Sequence, residues 1–239
     1  MAIIQTGVAS GVAGGNAIID PTFQAIRISD HPPEILGAYS MTLVSGTNVA
    51  ATFTGANTST ATLYPIFGMR WAPTTTTQLC MIRRIEVGFA TTTAFTTAQT
   101  IQVMGVIARN FTANLGTVGS TGTFTQTNTS KQRTSMPNSG FVTGGQIAIS
   151  GTAVMTGTSF VQDTQYFSSV IGSSTAVGTS LPLTPLFQHQ PGDYPLILAN
   201  NEGIILSNGL SFGAAGQGQF FVNVEWMELA ATTGNAIAY

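Results

Sequence analysis

The sequence predicts an all-β chain: an antiparallel two-sheet sandwich, jelly-roll-like, with extended N- and C-terminal arms. Three observations predict it. Apolar residues alternate with period two in the runs Leu79–Phe89 and Phe220–Met227, the signature of strands with one buried face. Gly, Pro and Asn-rich stretches recur between short apolar runs, which separates about ten strands by irregular connections. No heptads, no amphipathic helix and no fixed internal repeat are visible. A packed barrel is the alternative architecture.

Taken in order, residues 1–20 are mostly Ala, Gly, Ile and Val. Gly7, Gly11, Gly14 and Gly15 argue against helix there, so the stretch reads as an extended arm ordered by docking. A single β-sandwich domain spanning 21–230 follows. Its first strand is Pro21–Ser29, and Asp30-His31-Pro32-Pro33-Glu34 is a turn, because two prolines remove ladder donors. Ala38–Val44 and Val49–Phe53 are short strands around Ser45-Gly46-Thr47, and Gly55–Thr60 is polar loop. Leu63–Trp71 is stronger, with Leu63, Phe67, Met69 and Trp71 on one parity and Pro65 marking an edge or bulge.

In Leu79–Phe89 the odd positions Leu79, Met81, Ile85, Val87 and Phe89 form the buried face. Ile101–Ala108 is apolar on both parities. These two runs are expected to lie side by side at the centre of one sheet, with Thr91–Thr100 as the loop or hairpin tip between them. Residues 111–180 read as a long irregular insertion, partner-facing or functional. Within it Gln146–Ile149 and Ala153–Met155 are candidate short strands, and Phe160–Val170 is either a strand or a crossing loop.

Pro182, Pro185, Pro191 and Pro195 punctuate the next connection. Leu196–Ala199 and Ile204–Ser207 are strands around the turn Asn200-Asn201-Glu202-Gly203, where Gly203 supplies a positive φ. Asn208–Gly218 is a Gly-rich hairpin loop. Phe220, Val222, Val224 and Trp226 then alternate with Phe221, Asn223, Glu225 and Met227, which holds the C-terminus in a sheet. Residues 231–239 form a small-residue tail.

Composition narrows the function classes. Of the 239 residues 43% are hydrophobic, enough for an ordinary core, but only 7% are charged, against roughly 25% in typical soluble domains. So little charge protects a free molecule poorly against association, which leaves two readings open: simply a Thr-rich β-protein, or a surface covered by partner subunits. The net charge of −2 and the lack of a basic stripe predict no nucleic-acid partner. No charged-then-apolar signal opens the chain and no apolar run approaches ~18 residues. The expectation is a protein with no membrane partner, made in a cytoplasm. A single cysteine, Cys80, excludes an intrachain disulfide and reads as a small, semi-buried residue on the face of Arg84 and Glu86.

Candidate chemistry is sparse, and the expectation is no catalytic, cofactor-binding or metal-binding residue. His31 lies near Asp30 and Glu34, yet a zinc site needs three or four ligands at defined spacing. His189 is a loop residue, and no G-x-S-x-G elbow marks a nucleophile for a triad. Asp193, Glu202, Glu225 and Glu228 are the acids available for glycoside hydrolysis. The sequons at Asn57, Asn110 and Asn128 are expected by chance in a chain so rich in Asn, Thr and Ser. Arg83 shares parity with Met81 and Ile85, so its guanidinium either points to the core side, paired or at a rim with Glu225 and Glu86 as candidate partners, or reaches solvent from a strand end.

Several stretches together carry a resemblance: Phe67–Trp71, the Leu79–Val87 block with its paired arginines, Lys131-Gln132-Arg133-Thr134-Ser135-Met136, Pro191-Gly192-Asp193-Tyr194-Pro195-Leu196, Asn201-Glu202-Gly203 and Val222–Trp226. From about Phe23 to Glu228 the chain resembles virion structural proteins of tailed bacteriophages and prophages, of the capsid decoration or cement type. The resemblance implies a non-enzymatic subunit that binds the phage capsid shell and stabilises it. It implies the major capsid protein and copies of itself as partners, most simply a homotrimer. It places the protein on the virion, at the outer surface of the head, after assembly in the host cytoplasm. It implies no cofactor. Two other readings stay open: a collar, tail or fibre-associated protein that recognises another virion protein or a host glycan, with Trp71 and Tyr194 as aromatic platforms, and a β-sandwich hydrolase.

Overall fold

A computed structural model of the chain describes residues 35–46, 48–49, 65–113, 131–141, 146–149, 161–174, 176–190, 193, 195–210 and 216–230. All of them belong to one unit, Pro33–Tyr239. The expected arms at 1–20 and 231–239, the strand Pro21–Ser29, the His31 turn, the Gly55–Thr60 loop and the candidate strand Ala153–Met155 lie outside the described residues.

The described residues form strands and no helix: β1 (Ile35–Val44), β2 (Asn48–Val49), β3 (Pro65–Trp71), β4 (Leu79–Thr93), β5 (Gln99–Arg109), β6 (Ile147–Ile149), β7 (Val161–Ser174), β8 (Ser180–Gln188), β9 (Leu196–Leu198), β10 (Glu202–Asn208) and β11 (Gln217–Leu229). They make two antiparallel sheets. The first runs β1-β11-β4-β8, with β2 continuing β1 along β11 and β9 continuing β8 along β4. The second runs β6-β3-β10-β5-β7. Setting aside the short additions β2, β6 and β9, consecutive strands lie in opposite sheets at every step except β5 to β7, which are neighbours. That is the strand order of a jelly roll, two interleaved Greek keys closed as a sandwich.

The core lies between the sheets. From the first sheet come Tyr39, Ile82, Ile85, Val87, Phe89, Phe220, Val222, Val224 and Trp226; from the second come Phe67, Met69, Trp71, Ile101, Val103, Ile147, Ile204 and Leu206. Full burial of each such side chain contributes about 1.5–3 kcal/mol before ordering entropy is subtracted. The alternation read in β3 and β11 is the one observed, with Phe67, Met69 and Trp71 inward on β3 and the even residues inward on β11.

Elsewhere the structure departs from the reading. β4 and β5 are not neighbours: β4 lies between β11 and β8, and β5 lies between β10 and β7 in the opposite sheet. Residues 94–98 cross from sheet to sheet, and Phe95 is buried in that crossing, so close to Gly216 that a Cβ there would meet its ring. Apolar periodicity identifies the face a strand buries, not the strand alongside it. For the same reason Asn208–Gly218 is no hairpin loop, since β10 and β11 belong to different sheets. β5 is apolar on both parities because its outward residues Val106 and Ala108 join a second buried cluster with Phe111, Ala148 and Ile205.

Residues 111–180 are not wholly an irregular insertion. β6 and β7 arise from them, and β7 pairs along most of β5. The proline-punctuated stretch is also a strand. β8 carries Pro182 and Pro185 because it is an edge strand, where missing donors are tolerated. At the β9–β10 turn the positive φ belongs to Asn201 (φ 63), not Gly203. Gly203 is required for a different reason: a Cβ on it would lie 2.2 Å from the Met69 carbonyl oxygen.

Candidate functional site

The parity of β4 changes at Arg83. Glu225 of β11 faces Arg84, but Trp226 faces Ile82, so Arg83 is an extra residue in a bulge. Ile85, Val87 and Phe89 point inward after the bulge, and Cys80 and Ile82 point inward before it. The same bulge sits where β4 changes partner from β8 to β9, and the His189 amide donates to the Arg83 carbonyl at 2.8 Å. Of the two readings of Arg83 the solvent-reaching one holds: its side chain is exposed and reaches the Met227 sulfur at 3.3 Å. Arg84, not Arg83, pairs with Glu86 and lies 4.0 Å from Glu225. The Asn223 amide also donates to Glu86, at 2.9 Å, and all these groups lie on the outward face of the first sheet. Cys80 is fully buried in the core rather than semi-buried beside Arg84.

The four acids named for glycoside hydrolysis are dispersed. Asp193 closes a local turn by accepting from the Gln190 amide at 3.0 Å. Glu202 accepts from the Ala199 amide at 2.8 Å and from Arg109 at 2.5 Å. Glu225 points outward and Glu228 points inward. Glu202 belongs to a polar knot where β3 and β5 end and β10 begins. Arg109 spans Asp163 (3.1 Å) and Glu202, while Arg70 donates to the Phe111 carbonyl (2.5 Å) and to Asn201 Oδ1 (2.7 Å). Burial opposes the Arg109 charge, but the hydrogen bonds and charges of Glu202 and Asp163 outweigh it and hold the guanidinium more firmly protonated. Burial lowers the Arg70 value. The knot satisfies strand ends and two turns with positive φ, at Asn110 and Asn201.

Glu228 occupies the inward parity that continues Phe220, Val222, Val224 and Trp226. Its carboxylate accepts from Ser139 Oγ at 2.6 Å, from the Gly140 amide at 3.0 and 2.9 Å, and from Trp226 Nε1 at 3.1 Å. Burial pushes this carboxyl above the usual carboxylate range, although the three hydrogen bonds pull the other way. Burial, then the Glu228 charge, also raises the Tyr39 phenol and the Cys80 thiol. The signal for an inward carboxyl was present in the strand's own alternation, extended two residues past Trp226.

Glu228 anchors residues 131–141, which pass along the free edge of β1. Lys131 bridges Tyr39, the Gln132 amide donates to the Ala38 carbonyl at 3.2 Å, and Tyr39 Oη donates to the Pro137 carbonyl at 3.0 Å. Phe141 then enters the core edge-on to Trp71 and Trp226, with ring centroids 4.8 and 5.5 Å away. On the same side β6 covers β3, extended by the Arg70 amide donating to the Gln146 carbonyl at 2.6 Å. Trp71 is fully buried, so it is no platform for a glycan. Tyr194 and His31 lie outside the described residues.

The opposite side is built differently. There the terminal strands are β8 and β7. Phe167 lies against Phe187 (6.0 Å), and Leu181 fills the space above Gly172. Val170 of β7 and Leu183 of β8 are exposed, at 57% and 42%; Val177, in the β7–β8 connection, is 63% exposed. From Thr164 to Gly192 the sequence contains no Asp, Glu, Lys or Arg.

Among the described residues no group of three or more His, Cys, Asp or Glu side chains is placed to hold a metal ion. Among the same residues no helix is long and apolar enough to cross a membrane. No protein-family model and no curated protein matches the chain.

Proposed function

We propose that this chain is a non-enzymatic structural subunit that binds a larger protein shell, as a phage capsid decoration or cement protein does. The observation that carries the reading is the β7–β8 side, where the stretch from Thr164 to Gly192 carries no charged residue and Val170, Val177 and Leu183 are exposed to water. Exposed apolar side chains on a folded domain offer contact surface. Prolines at 182 and 185 blunt β8 against strand addition, so the surface suits side-chain packing. A jelly roll is one of the architectures that capsid domains use, though it hosts other functions too. Copies of the chain would associate in a closed ring, most simply a trimer, and bind the major capsid protein at the outer surface of the head. Burial of about 1,000 Å² per contact is sufficient for specific binding. A subunit that binds only the assembled shell stabilises it by mass action.

The test is the copy number of the chain in purified particles relative to the major capsid protein. A value near one per capsid subunit, or a simple fraction of it, supports the reading. A count of a dozen or fewer moves the protein to a collar, tail or fibre. Absence from the particle ends the virion reading.

A further inference from the structure

We propose that residues 131–141 are a strap guarding the edge of β1, and that the Glu228 carboxyl is the latch that holds the strap down. The strap has two unequal halves. Its inner end is fixed: Ser139 and Phe141 are buried, Ser139 Oγ and the Gly140 amide both donate to Glu228, and Phe141 sits between Trp71 and Trp226. Its outer half is exposed from Gln132 to Ser135 and again at Pro137 and Asn138. The outer half holds the β1 edge by weak means. The Ala38 amide donates to the Met136 thioether at 3.4 Å, a poor acceptor, and the Ala38 carbonyl receives a long bond of 3.2 Å from Gln132. Tyr39 adds a bridge to Lys131 and a 3.0 Å hydrogen bond to the Pro137 carbonyl, and the buried attachment of the strap is the anchor at Ser139 and Gly140.

The latch is a carboxyl without a counter-charge. Ser139 and Gly140 face it from the strap, Tyr39 from β1, Cys80 from β4 and Trp226 from β11. None of these is a cation, and among the described residues no Lys, Arg or His pairs with Glu228. With the strap down the carboxyl is dry and its proton is held more tightly than in water. With the strap lifted its Ser139–Gly140 side is rehydrated and its affinity for the proton returns toward the ordinary value. The closed strap therefore binds the proton more tightly than the open one. Closure is fully favoured below the ordinary carboxylate range and weakens as pH rises through the raised value. Between the two values opening increases about tenfold per pH unit, then levels off.

Hydrogen exchange of the full chain across a pH series, corrected for intrinsic rates, tests this. The expected result is that protection of the 132–141 amides and of Ala38 falls together with rising pH, while β10 and β11 keep theirs. In Glu228→Gln the pH dependence disappears. Ser139→Ala removes a hydrogen bond that favours the ionised form, so the pH at which the fall ends moves up; a merely structural serine would lower protection without moving it. Protection of the strap that is independent of pH in the natural chain overturns the proposal. So does an unchanged pH profile in Ser139→Ala, whether or not Glu228→Gln folds.

Discussion

The two long sides of this sandwich solve one problem in opposite ways. On the β1/β3 side both sheet edges are covered, β1 by residues 131–141 and β3 by β6. On the β7/β8 side the edges are terminal among the described residues, and two prolines interrupt β8. A covered edge is anchored by core groups, here Phe141 and Glu228, so its integrity is part of the stability of the fold. A blunted edge packs some residues inward, here Leu181, Leu186 and Phe187, and leaves exposed apolar side chains to meet another surface. Stability and assembly are thus expected to separate by side.

The largest expected effect is on the covered side. Phe141→Ala removes a fully buried ring held edge-on by two tryptophans, and the cost is about 3–5 kcal/mol, read from equilibrium denaturant unfolding. A cost under about 1 kcal/mol would show that the strap is not part of the core.

The second effect sharpens the contrast. Val170→Asp with Leu183→Asp puts two charges on exposed positions of the other side, so unfolding stability changes by no more than about 0.5 kcal/mol. Self-association by light scattering and binding to purified shells should be lost. Retained assembly with unchanged stability would assign the contact surface elsewhere.

The smallest effect belongs to neither side. Glu225→Gln breaks a 4.0 Å pair with Arg84 on the outward face of the first sheet, where water screens both groups and Arg84 keeps Glu86. Stability should shift by less than about 0.5 kcal/mol, and assembly should be unaffected. A larger change in either would move attention to the β4 bulge.

Much of the fold was legible because burial has a period. Phe67, Met69 and Trp71, and then Phe220 to Trp226, announce their inward faces without any tertiary information. The Arg83 parity was misread because one inserted residue inverts every side chain before it, and a bulge has no composition of its own. β8 was hidden by prolines that weigh against a strand in general but suit one at an edge. Glu228 was visible only as one acid among several. Its role depends on Ser139 and Gly140, nearly ninety positions away.

The sequence by itself determined that the chain is all-β, that strands such as β3 and β11 bury one face, that charge is scarce, and that the stretch from Thr164 to Gly192 has none. Those properties are local, set by side-chain period and composition. The tertiary structure decided which sheet each strand joins, which edges are covered, and that a stretch with little charge supplies the two terminal strands of one side among the described residues while a distant segment closes the edges of the other. Such choices are made by pairing between residues far apart in the chain. An apolar face gains nearly the same burial against any complementary face, so only the whole packing selects among them.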